Sequence, residues 1–141
     1  MEFDWPGTDD PSAWLCVPDS IEFLGGLFPG GWPELRRHNR DLALAGRATL
    51  CAALDVPAPA PEEMIGSLAS VPLPDGSGSG NSNPMGIDPL QDALFAEHRI
   101  EVPVMPWPRP PKRLLRISAQ AYNREEQYEH LAEALSGHLP M

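Results

Sequence analysis

The chain has 141 residues, with 10 Lys plus Arg against 20 Asp plus Glu and a formal net charge of −10. That length suits one domain, and a pI near 4.6 disfavours both nucleic acid and anionic membrane surfaces as partners. No apolar run approaches the ~18 residues of a membrane helix. The acidic start MEFDWPGTDD lacks the apolar core of a signal peptide, and Cys16 and Cys51 sit among Leu, Val and Ala, as small buried hydrophobes of a reducing, cytoplasmic compartment do.

Residues 1–17 mix acids, Pro, Gly and Trp and are predicted as a loop with turns. A short helix is predicted from Pro18, with Val17, Ile21 and Leu24 on one face, broken by the glycines and proline of 25–31. The longest helix is predicted from Pro33 to about Leu54, with Leu35, Leu42, Thr49 and Ala53 along its stripe, ended by the prolines of 55–61. Ile65 to Leu73 reads as a strand. The run DGSGSGNSNP reads as a flexible linker over 75–85, inside one domain.

A helix follows, with Asp88 as cap, Pro89 at its first position and Gln91 completing a capping box. Ile100, Val102 and Val104 alternate as a strand that Pro103 confines to a sheet edge. Lys112 to Ala119 is a second alternating strand. The last helix opens at Asn123 with Glu126 at capping-box spacing, and Tyr128, Leu131, Leu135 and His138 form its inner stripe. The expected fold class is α+β, a small antiparallel or mixed sheet covered by helices.

Metal chemistry is not expected. His38, His98, His130 and His138 share no ligand spacing with one another or with the cysteines. There is no GxGxxG, GxxxxGK or GxSxG pattern. Cys51 lies mid-helix among apolar residues, where an inert buried thiol is the better reading. Arg36, Arg37 and Arg40 cluster on the long helix, as a solvated face or opposite the acids of a covering domain.

Two segments carry more. In Trp5-Pro6-Gly7-Thr8-Asp9-Asp10, Gly7 allows close backbone approach, Thr8 offers a hydroxyl and Trp5 an indole N–H, a set that can hold a phosphate. The same residues also read as a turn in which Thr8, Asp9 or Asp10 caps a helix. In Arg113-Leu114-Leu115-Arg116-Ile117-Ser118, Arg116 shares a strand face with Leu114 and Ser118. Its planar fork suits a carboxylate, either a ligand's or that of a structural salt bridge.

Together WxGTDD and RISxxxYN carry a resemblance, supported by HNRDLAL, EEMIGSLASVPLP and LQDALFAEHRIEVPV. The chain resembles the C-terminal part of class V aminotransferase-fold (fold-type I) pyridoxal phosphate enzymes, in the isopenicillin N epimerase-like branch. The resemblance implies a small C-terminal domain over 18–141, preceded by a loop over 1–17 that reaches the cofactor phosphate. It implies that Trp5, Gly7 and Thr8 contact the cofactor and that Arg116 binds the α-carboxylate of an amino-acid substrate. It also implies a large pyridoxal phosphate-binding domain as partner and a homodimer in the intact enzyme. The family's covalent lysine precedes the WxGTDD turn; the only lysine here, Lys112, opens a strand and does not match it. No catalytic residue is therefore expected in this chain. The sequence reads as the C-terminal domain of an epimerase, aminotransferase or lyase, or else as an inactive stand-alone module.

Overall fold

In the computed structural model, residues 10–76 and 86–139 are described. Their elements are helices α1 (Ser12–Leu15), α2 (Val17–Gly26) and α3 (Gly31–Ala53), strand β1 (Leu68–Leu73), helix α4 (Pro89–His98), strands β2 (Val104–Pro106) and β3 (Arg113–Ser118), and helix α5 (Glu125–His138). This is an α+β fold. Among the described residues, no helix is long and apolar enough to cross a membrane. The chain divides into two compact units, 1–35 and 36–141.

In the first unit, the predicted loop contains α1. The Asp10 carboxylate accepts hydrogen bonds from both the backbone N–H and the hydroxyl of Ser12, but the cap position of α1 is Pro11; the other two candidate caps, Thr8 and Asp9, lie outside the described residues. Helix α2 begins one residue before Pro18 and carries Asp19 in its first turn, where an acid meets the positive end of the helix. Trp14 and Leu15 of α1 and Val17, Ile21 and Phe23 of α2 are exposed, while Leu24 is half-buried. Cys16 is also exposed, which corrects the expectation of two buried thiols. Cys51 is buried as expected.

The second unit is built on a three-stranded antiparallel sheet of order β1-β3-β2. Proline explains that order. Pro72 lies in β1 and Pro106 in β2, and each lacks the N–H that a doubly paired strand needs. Only RLLRIS is free of proline, and it takes the centre. Val71 and Val104 flank Leu115 from the two sides. The buried face of the sheet (Ala69, Val71, Leu73, Leu115, Ile117) packs with Leu42, Leu50, Leu94, Leu131 and Leu135 from the helices in one core.

The buried stripe of α3 differs from the predicted one. Leu35 and Leu42 are buried, but Ala53 is exposed, and Asn39, Arg47 and Leu50 are buried in its place. Steps of seven drift about 20° per heptad around a straight helix, so the stripe follows steps of three and four instead. Gly46 lies on this face, where an added Cβ would stand 2.7 Å from the Tyr128 ring. Arg40 is not part of a solvated face. Its guanidinium donates to the carbonyls of Ile65 and Glu62, while Arg47 donates to that of Ala60. These bonds hold the segment before β1, so the strand starts at Leu68, later than predicted.

The strand predicted from Ile100 starts at Val104. The N–H of Ile100 is taken by the Leu94 carbonyl at the end of α4, which leaves none for a ladder. Gln91 does not complete a capping box. Asp88 caps through the Leu90 N–H, and the side-chain amide oxygen of Gln91 instead accepts the N–H of Val104. Helix α5 is capped one residue later than predicted. Arg124 is the cap residue, and its N–H donates to Gln127 rather than to Glu126. Asn123 accepts the Gln120 N–H and closes the preceding loop.

Candidate functional site

Arg116 stands in the centre of β3, and its side chain is exposed while Leu115 and Ile117 on either side are buried. Its N–H donates to the Pro103 carbonyl at 3.1 Å, which fixes the backbone under it. Among the described residues, no hydrogen bond or ion pair occupies its guanidinium. The structural salt bridge weighed for this strand belongs to Arg113, which meets Asp88 at 2.8 Å.

Arg116 opens into a cleft of about 820 Å³ within the second unit. The end of α4 at His98 and the segment 99–103 after it form one wall, and the start of α5 with the loop before it forms the other. Ile117, Tyr128 and Leu131 are its buried, apolar members. Tyr128 donates its hydroxyl to the Ser118 carbonyl at 2.8 Å, so the floor is tied to the strand that bears Arg116. Burial, with a smaller contribution from Tyr122, pushes the Tyr128 phenol above its ordinary value.

Arg99 and Arg124 line the same cleft. Arg99 ends α4 in the left-handed conformation, with φ of 60°, where glycine is the usual residue. Arg124 caps α5, whose first turn adds the positive end of the helix dipole. Glu101 and Glu126 also line the cleft and offset part of this charge. A chain of net charge −10 thus lines one concavity with three arginines. Such a site suits a small organic anion, above all a carboxylate held by the fork of an arginine.

The loop between β3 and α5 is held from behind. Gln120 accepts hydrogen bonds from Asn39 on α3 and from the N–H of Ala121, and Asn123 donates to Gln127. The cleft wall is therefore part of the folded frame.

Of the residues expected from sequence to make contacts, Arg116 lies in this cleft. Trp5, Gly7 and Thr8 lie outside the described residues. Lys112 is exposed, stands 4.0 Å from Asp75 and is not among the cleft residues. Arg99 and Arg124 were not anticipated. A left-handed arginine leaves no mark in sequence, and Arg124 was hidden because Asn123 offered a better-looking cap.

No protein-family model matches the chain. It is 36% identical over 131 residues to the isopenicillin N epimerase of Amycolatopsis lactamdurans, covering 92% of this chain and 30% of that protein. It is 33% identical over 154 residues to the putative L-cysteine desulfhydrase 2 of Oryza sativa subsp. japonica, covering 96% of this chain and 31% of that protein. A probable chloroplastic L-cysteine desulfhydrase of Arabidopsis thaliana is 32% identical, covering 97% and 30% respectively. The chain spans about 30% of the length of the curated relatives it matches.

Proposed function

Because the chain belongs with the C-terminal part of class V aminotransferase-fold enzymes, a family that uses pyridoxal phosphate, we propose that it is the substrate-carboxylate-binding domain of such an enzyme. The observation that carries this reading is the unoccupied Arg116 guanidinium in the arginine-lined cleft. Arg116 takes the α-carboxylate of an amino-acid substrate in its fork, and Arg99 and Arg124 add attraction for the anion. Anchored there, the substrate has its Cα held in a fixed orientation toward whatever chemistry acts on it. The names of the relatives, an isopenicillin N epimerase and L-cysteine desulfhydrases, point to epimerisation or to desulfhydration as the reaction.

The described residues do not by themselves fit the cofactor. The only lysine of the chain is Lys112; its side chain is 67% exposed, and it lies outside the cleft residues. No covalent step is assigned to this chain. On this reading, covalent chemistry resides in a large pyridoxal phosphate-binding domain against which this domain packs, in a homodimer, and Trp5, Gly7 and Thr8 reach the cofactor phosphate. The exposed Trp14, Leu15, Ile21 and Phe23 supply apolar surface for such packing. The position of Lys112 favours a second reading for the chain by itself, as a non-catalytic module.

The test is arginine side-chain NMR on the 141-residue chain. Titration with L-alanine is expected to shift the Arg116 Nε–H resonance saturably, and ethylamine, which lacks a carboxylate, is expected to leave it in place. Arg116→Lys should weaken alanine binding about tenfold, the worth of one charge-assisted hydrogen bond. An Arg116 signal that moves no more than that of Arg36 would refute the assignment.

A further inference from the structure

Helices α4 and α5 both end in histidine, His98 and His138, and the two side chains meet. Their Nε2 atoms are 3.2 Å apart, with the rings inclined at 88°. The neighbouring Glu97 places Oε2 at 3.6 Å from His138 Nε2. One ligand atom from each of the three residues lies within 4.8 Å of the other two.

We propose that Glu97, His98 and His138 bind a first-row divalent transition-metal ion of the zinc type, with three protein ligands and one position open to water. The donor set supports this. Two imidazole nitrogens and a carboxylate oxygen form a combination that zinc accepts at three-ligand sites. The spacing supports it too. A tetrahedral centre with metal–nitrogen bonds of 2.0–2.1 Å keeps its ligand nitrogens about 3.3 Å apart, close to the 3.2 Å found. The local field adds to both, because two helix C-termini converge there and their partial negative charge favours a cation. His98 and His138 are half-buried, so their rings are held, while Glu97 is 62% exposed and free to close on the ion. The His130 ring, 6.1 Å from that of His98 centroid to centroid, falls outside the set.

The ligands lie 40 residues apart on two helices, and for that reason no spacing along the chain reveals them. The same distances also fit a hydrogen bond between the two imidazoles, with the Glu97 carboxylate beside His138. The two arrangements differ in what zinc does to them.

The deciding experiment is calorimetric titration of the chelator-stripped, tag-free 141-residue chain with Zn²⁺. One ion per chain is expected, bound more tightly than Mn²⁺ or Mg²⁺. His98→Gln and His138→Gln are each expected to weaken binding by about 100-fold, given that loss of even an outer-shell partner costs 10–100-fold. Glu97→Gln is expected to have a smaller effect and His130→Gln none. Circular dichroism reports whether each variant folds. Zinc-edge X-ray absorption on the unaltered chain counts imidazole ligands without recourse to any variant. Absence of saturable binding, affinity unchanged in both histidine variants, or fewer than two imidazoles at the ion would overturn the site and leave the hydrogen-bonded pair.

Discussion

Tyr128 joins three elements through one ring. It projects from α5, lies against Gly46 of α3 and donates to the Ser118 carbonyl at the end of β3. Its burial has a pH consequence. The phenol is held above its ordinary value of 10.0. Below that value both the folded and the unfolded chain keep the proton, and burial costs nothing. As pH rises through it, the unfolded chain loses the proton first, so unfolding gains and stability falls. Cys51, raised by burial against a smaller opposing pull from Arg47, acts in the same direction. The urea midpoint should therefore fall from pH 8 to pH 11, and Tyr128→Phe should flatten the fall while costing about 1 kcal/mol at neutral pH for the lost hydrogen bond. An equal fall in the variant would show that Tyr128 is not the titrating group. At this scale the sequence was read unevenly. Alternation made the strand position of Arg116 legible, on the face opposite Leu115 and Ile117, while its carboxylate-binding role came only from the resemblance. Arg99 was not, because nothing in its identity announces a left-handed backbone.

Elements were legible where a single local rule decides them, and shifted where two rules competed for one group. Asp88-Pro89 marked the start of α4 correctly, since cap and proline agree there. Gln91 was diverted because an edge strand had an N–H to satisfy, and unsatisfied backbone donors are costly. The strand after α4 began late because the helix end had already used the Ile100 N–H. Asp88 now appears as a junction: one oxygen accepts both the Leu90 N–H and the Arg113 guanidinium, tying α4 to β3. Asp88→Ala loses the cap, worth about 1 kcal/mol, and strands a half-buried arginine, so a total cost of about 2 kcal/mol is expected. Asp88→Asn keeps an acceptor for the cap and should cost about half of that. Chemical denaturation of the two variants checks the ordering; equal losses would mean that the cap contributes nothing, and no loss in Asp88→Asn would mean the same of the ion pair.

For the molecule as a whole, the α+β class follows from the alternation of helical and strand periods. The glycines and proline of 25–31 separate α2, which ends at Gly26, from α3, which starts at Gly31. Trp14 and Leu15 of α1 and Val17, Ile21 and Phe23 of α2 are exposed, and exposed apolar surface of this kind drives association. Sedimentation at rising concentration is expected to give a weight-average mass above 15.4 kDa, and Phe23→Glu should bring it back toward the monomer. A constant monomer mass in the unaltered chain would mark an autonomous module.

The prolines of the two outer strands bear on how that association proceeds. Pro72 and Pro106 deprive both margins of the sheet of a donor that an incoming strand would need. A crowded solution of this chain is thereby steered away from cross-β growth. Its clusters should be helix-mediated, dissolve on dilution and leave dyes specific for amyloid dark.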